Sequence, residues 1–166
     1  MSVNIALLTV TDTRTLETDK SGNILVEKIK KAKHNLVERK ICKDNKDDIV
    51  VILKSWLQNN QIDVIITTGG TGLTGRDITP EALDVIADKH IPGFGEIFRY
   101  LSLKTVGTSS IQSRACAVLA KGKYIFALPG SSGGVTDAWE GILKHQLDIN
   151  HKPCNFVELF PRLKEK

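Results

Sequence analysis

Ile62-Asp63-Val64-Ile65-Ile66-Thr67 leads, through Thr68, into Gly69-Gly70-Thr71-Gly72, and the chain then crosses Leu73-Thr74-Gly75-Arg76-Asp77-Ile78 to reach Thr79-Pro80-Glu81. The first part is apolar and β-branched, the pattern of a strand buried on both faces. The glycines end it, because they allow a sharp turn and let backbone approach a ligand closely. Thr79 reads as a helix N-cap, Pro80 as the first helical residue and Glu81 as an acid near the positive end of the dipole. That helix is expected to run to about Lys89. Strand, glycine turn and helix in this order form the repeating unit of a parallel sheet.

Outward from this unit the same alternation continues. Val3 to Val10 reads as a buried strand closed by Thr11-Asp12-Thr13, and Ser21 as the cap of a helix from Gly22 to Lys33. Asn35 to Cys42 reads as a second strand. Asn45 to Asn60 reads as a helix, with Ile49, Ile52, Leu53, Trp56 and Leu57 on one face. After the break at Ile91-Pro92-Gly93, Phe94 to Leu103 is expected to be helical. Ala115 to Ala120 and Tyr124 to Leu128 flank Lys121-Gly122-Lys123 as a hairpin, and a last helix should cover about Val135 to Leu147. No repeat, low-complexity stretch or linker interrupts the chain, so residues 1–166 read as one domain. The fold class is α/β: a mainly parallel sheet with helices on both faces and an antiparallel edge hairpin.

The 166 residues are 41% hydrophobic and 25% charged, the balance of a folded chain that needs no disulfide or structural metal. A net charge of +4 is mild, and the 5 Phe, 2 Trp and 2 Tyr are scattered, which argues against a nucleic-acid reader. Cys42, Cys116 and Cys154 are odd in number and far apart, so they form neither a disulfide framework nor a zinc knuckle. Ile5-Ala6-Leu7-Leu8 lacks a preceding basic segment and is too short for a signal core or a membrane span. The expectation is a cytoplasmic protein without a membrane partner.

In an open parallel sheet, ligands bind beyond the carboxyl ends of the strands. Thr11 to Thr15, the turn at Asp44, Gly69 to Asp77 and Gly130 to Gly134 all follow strands and should converge there. Glycine amides and the helix starting at Pro80 suit phosphate. An acid beside a phosphate cradle, here Asp77, calls for a bridging cation such as Mg²⁺, unless it is only a helix-capping or solvated acid. Gly130-Ser131-Ser132 is a second phosphate contact or an N-capping turn. Asp44 is either a second carboxylate of the site or the cap of the helix beginning at Asn45, and Asp12 and Ser21 carry the same ambiguity. Gly70-x-Gly72-x-x-Gly75 matches the dinucleotide fingerprint in form, but the helix starts late and no acid ends a strand about twenty residues on. The P-loop pattern and the Gly-x-Ser-x-Gly elbow are both missing. His34, His90, His145 and His151 show no metal-ligand spacing. Trp56 and Trp139 sit on apolar faces and read as core.

Thr67 to Ala82, with its Gly-Gly-Thr-Gly and Arg76-Asp77 elements, resembles the signature of the MoaB/Mog family of molybdenum cofactor biosynthesis proteins. Pro92-Gly93-Phe94-Gly95-Glu96, Gln112-Ser113-Arg114 and Leu128-Pro129-Gly130-Ser131 resemble its later blocks. Thr11-Asp12-Thr13-Arg14-Thr15 with Asp19 to Gly22 resembles the B-type branch. The resemblance implies a three-layer domain that binds molybdopterin, commonly as homotrimers or homohexamers. In Mog-type relatives it implies adenylylation of molybdopterin with Mg²⁺ and ATP. Asp77 then stands at the position of an essential aspartate and Asp44 near a second acidic position. Gly69, Gly70, Thr71, Gly72, Gly130 and Ser131, with Thr11, Asp12 and Ser21, fall to substrate binding. Many relatives carry a basic residue just after the Pro-Gly-Ser block, where this chain has Gly133 and Thr136. The alternative is a non-catalytic molybdopterin carrier or assembly protein of the same pathway.

Overall fold

The first apolar run forms β1 (Asn4–Val10), and the helix after it, α1 (Lys20–Lys31), starts two residues before the expected point. Asp19, not Ser21, is its N-cap, accepting from the Gly22 amide at 2.9 Å. A carboxylate is the stronger acceptor for an orphan helix amide, and Ser21 is drawn into the first turn. The chain continues through β2 (Asn35–Cys42), α2 (Lys46–Gln58) and β3 (Val64–Thr68). Asn45 caps α2 by accepting from the Asp48 amide, which leaves the Asp44 carboxylate free of that task.

Past the glycine turn, α3 (Thr79–Ile86) is shorter than its sequence suggests. Thr79 lies inside the helix instead of capping it, because its buried hydroxyl donates to the Gly69 carbonyl at 2.9 Å. Ile78 occupies the cap position without a side-chain bond. The segment expected to finish the helix forms β4 (Lys89–His90), paired with a later strand. The remaining elements are α4 (Pro92–Val106), β5 (Cys116–Ala120), β6 (Lys123–Leu128) and α5 (Ser132–Ala138). A π-helical turn, Trp139–Leu143, carries α5 on into Lys144–Gln146. The computed structural model describes residues 1–165.

The six strands form one sheet in the order β2-β1-β3-β6-β5-β4. β2, β1, β3 and β6 are parallel, while β5 and β4 turn back antiparallel and supply that edge. Successive residues of a strand face opposite sides. Accordingly Ile5, Leu7, Val64, Ile66 and Phe126 pack against α1, α4 and α5, with Trp139 among them. Ala6, Leu8, Ile65 and Ile125 pack on the other face against α2 and α3, with Trp56. Three layers result, helices on both faces of the sheet, as the alternation of the sequence predicts.

The register decides where chemistry is possible. Val10 pairs with Cys42, Thr9 with Thr68 and Thr68 with Leu128, so the four parallel strands end at one level. The segments that follow them are delivered to a single rim.

Candidate functional site

Short backbone bonds lock the turns of this rim to one another. The Thr11 amide donates to Cys42 O at 2.8 Å, the Gly69 amide to Leu128 O at 3.0 Å, and the Thr68 hydroxyl to Pro129 O at 2.8 Å. Gly69 and Gly70 take φ of 101° and 67°, in the left-handed region that favours glycine. A Cβ at Gly69 would strike the Val10 carbonyl oxygen, and one at Gly70 the Thr79 hydroxyl. At these two positions the loop therefore lies too close to β1 and α3 for a side chain.

Thr79 holds two carbonyls of this turn, its hydroxyl taking Gly69 O and its amide taking Gly70 O at 3.0 Å. In a trans peptide the carbonyl and the next amide point in opposite directions. Fixing those oxygens toward α3 turns the Gly70 and Thr71 amides the other way, and neither donates to an acceptor among the described residues. Gly69, Gly70, Thr71 and Gly72 line a cavity of about 650 Å³ together with Asp77, Gly130 and Ser131. Two unspent amides at a cavity wall form an anion cradle.

The opposite wall was not visible in sequence. It comes from the end of α4 (Phe98, Ser102, Thr105) and from the 3-10 segment Gly107–Gln112 that follows. Asp137 of α5 closes it, its carboxylate accepting from the Thr105 hydroxyl at 3.0 Å. Ser102, Thr105, Ser109 and Ser110 belong to no motif, whereas Gln112 and Ser113 fall in the Gln112-Ser113-Arg114 block.

A second cavity of about 290 Å³ adjoins the first and shares Gly130 and Ser131 with it. Thr11, Arg14, Asp19, Lys20 and Ser21 line it. Ser21 accepts from the Thr68 hydroxyl at 3.3 Å and donates to Asp19 at the same distance. Ser131 caps α5, accepting from the Gly134 amide at 3.0 Å, and it borders both cavities.

The carboxylates divide between wall and rim. Asp77 lines the large cavity, and its Oδ2 accepts from the Thr74 amide at 2.9 Å and hydroxyl at 2.7 Å. Burial pushes this carboxyl up, but the Thr74 bonds, the Gly72 amide and the nearby Arg114 charge outweigh it and hold it below its ordinary value. Asp12 and Asp44 line neither cavity, and Asp44 lies beside Gly70, its Oδ1 3.4 Å from where a Cβ there would stand. The Asp44 amide donates to Asp12 Oδ1 at 3.2 Å, and Arg76 pairs with Asp12 Oδ2 at 3.5 Å. Burial, then the charges of Asp12 and Asp77, push the Asp44 carboxyl up. Mutual repulsion of this kind marks a place where a cation would be welcome, and carboxylate oxygens are the donors Mg²⁺ prefers. Among the described residues, no three His, Cys, Asp or Glu side chains gather closely enough to hold a metal alone. Phosphate and water would have to complete its shell.

Arg114 was quoted in the sequence only as part of a block, yet it grips the glycine loop. Its guanidinium donates to Gly72 O at 2.7 Å and to Asp77 O at 2.6 Å, and it pairs with Glu81.

Comparison with known proteins agrees with this architecture. Residues 6–149 match the profile of a family described as "probable molybdopterin binding domain". The chain is 44% identical over 161 residues to molybdenum cofactor biosynthesis protein B of Escherichia coli K12, spanning 97% of this chain and 93% of that protein. A crystal structure of a molybdenum cofactor biosynthesis protein B superposes with a TM-score of 0.90 at 37% identity, covering 100% of this chain and 98% of the other. The tungsten cofactor synthesizing protein MoaB from Pyrococcus furiosus gives 0.77 at 34% identity, over 87% and 92% of the two chains. No helix among the described residues is long and apolar enough to cross a membrane. A glycine cradle at the ends of four parallel strands, matched along nearly the whole chain by such relatives, places this chain in the molybdenum cofactor biosynthesis family of molybdopterin-binding domains.

Proposed function

We propose that the chain binds molybdopterin in the large cavity and adenylylates it with Mg²⁺ and ATP. The observation that carries the reading is the pairing of the unspent Gly70 and Thr71 amides with Asp77 on one cavity wall and Asp44 beside Gly70. Amides and carboxylates side by side suit a polyphosphate and its counter-cation better than either suits an uncharged ligand.

In the reaction a terminal phosphate oxygen of molybdopterin bonds to the α-phosphorus of ATP. The bond from that phosphorus to the β-phosphate oxygen breaks, and pyrophosphate leaves. Such transfer depends on positioning and charge neutralisation more than on covalent help from the protein. The Gly70 and Thr71 amides hold phosphate oxygens. Ser131, on the wall shared by both cavities, stands where the two substrates would meet. Asp77 and Asp44 would hold Mg²⁺, which when bound neutralises charge on the transferring and leaving phosphates.

A second reading, a molybdopterin carrier without turnover, draws on two features. Asp77 already spends one oxygen on Thr74, and no basic side chain stands at Gly133 or Thr136. One experiment separates the two. The chain is mixed with molybdopterin and Mg-ATP, and pyrophosphate is measured. Release that depends on both substrates is the expected result. Binding of molybdopterin without release means a carrier, and no binding at all overturns both readings. Ile97, Tyr100 and Leu103 are exposed along α4, which supports assembly into a homotrimer or homohexamer, measurable by sedimentation.

A further inference from the structure

We propose that Arg114 is a positioning residue for the anion cradle: it holds the glycine loop from Thr71 to Asp77, next to the two amides that Thr79 orients, and so keeps Asp77 in place against them. The proposal rests on the reading of that loop as a phosphate site, and it gives Arg114 a part that no cavity lining reveals.

Arg114 lines neither cavity. It reaches the loop from the segment before β5. Its own amide takes Thr71 O at 2.8 Å, Nε takes Gly72 O at 2.7 Å and Nη2 takes Asp77 O at 2.6 Å. Each carbonyl so held turns the following amide to the opposite side, so Arg114 orients the amides of Gly72, which meets the Asp77 carboxylate, Leu73 and Ile78. Thr79 does the same for Gly69 and Gly70. Between them the two residues tie five carbonyls of the loop, at 69, 70, 71, 72 and 77.

The need for such a clamp is local. The loop's glycines have wide conformational freedom, and α3 begins at Ile78 without a side-chain cap. Within the loop, the bonds of Thr74 and the Gly72 amide to Asp77 oppose that freedom. Glu81 fixes the guanidinium in turn, meeting both Nη1 and Nη2 from the first turns of α3. A planar fork with donors at fixed angles can take two backbone carbonyls and a carboxylate at once, and a lysine ammonium cannot reproduce that.

Arg99 provides a matched control. It also ties the segment before β5, donating through Nη1 to Ser113 O at 3.3 Å and Ala115 O at 3.1 Å, but it makes no hydrogen bond to the glycine loop. The experiment compares Arg114→Lys and Arg99→Lys in the full chain by amide hydrogen exchange, molybdopterin affinity and thermal unfolding. In Arg114→Lys, exchange in the 69–78 segment should quicken and molybdopterin affinity fall, each by about tenfold. Arg99→Lys should lose similar thermal stability while loop exchange and affinity stay within about twofold of the parent. Glu81→Gln, which keeps Arg114 but loosens its fork, should fall between them. Parental loop exchange in Arg114→Lys overturns the proposal, and so does an equal effect of Arg99→Lys on exchange and affinity. If the parent chain fails to bind molybdopterin while Arg114→Lys still loosens the loop, the positioning role stands and the ligand reading falls.

Discussion

At position 77 one carboxylate both folds its own loop, through Thr74, and faces the cavity. Asparagine retains an oxygen that can accept the Thr74 bonds, so Asp77→Asn should keep the loop while removing the charge that a cation needs. Pyrophosphate release is expected to fall by at least about a hundredfold. Molybdopterin affinity should stay within a few-fold, as a binding titration beside the assay will tell. Asp19 answers to a different test. It is 1% exposed and accepts from the Thr9 hydroxyl at 2.6 Å, Arg39 at 2.9 Å and the Gly22 amide. Burial alone would push its carboxyl up, but these bonds and the Arg39 charge prevail and hold it below the ordinary value. A depressed folded-state pKa contributes stability that is complete above the unfolded value and lost as pH falls through the folded one. Urea midpoints of the parent chain should therefore decline below about pH 4. Asp19→Ala should already be weaker at neutral pH, by about 3 kcal/mol, because Arg39 is left without its counter-charge.

Among the elements, α2 ends without a basic residue in its last turn, and a lysine from a distant strand supplies one. Lys123, at the start of β6, is 6% exposed, and its ammonium donates to Asn59 O at 2.7 Å and to Ile62 O. It joins the end of α2 to the approach of β3. Lys123→Met should cost about 2 kcal/mol, read by urea unfolding, since a buried and a half-buried carbonyl lose their donor. In sequence this residue is one of three in a turn, Lys121-Gly122-Lys123, and nothing local marks it as buried. Thr79 illustrates the same limit. Its place before Pro80 predicts a cap, but a tertiary bond to Gly69 takes the hydroxyl and moves the helix start by one residue. By contrast β1, β2, β3 and the hairpin were legible, because apolar alternation and turn chemistry are local signals. β4 was not, since two residues hold no period and exist as a strand only through pairing with β5.

For the molecule as a whole, the sheet carries a core on each face, and its rim carries the cavity between loops from both halves of the chain. A ligand seated there binds only the folded state. At a hundredfold excess over Kd it should add about 2.7 kcal/mol. For a chain of this size Tm should then rise by about 5–10 °C, visible in a thermal scan with molybdopterin. Failure of any such rise at saturating ligand contradicts the cavity assignment. The near wall, Gly69 to Asp77 with Gly130 and Ser131, was legible because glycine and capping residues advertise their backbone demands. The far wall was not. Ser102, Thr105 and Asp137 reach the space only because α4 and α5 pack on the same face of the sheet. The two cavities meet at Gly130 and Ser131. Whatever one occupant does to the affinity of the other through that shared wall, thermodynamic reciprocity demands the same factor in return.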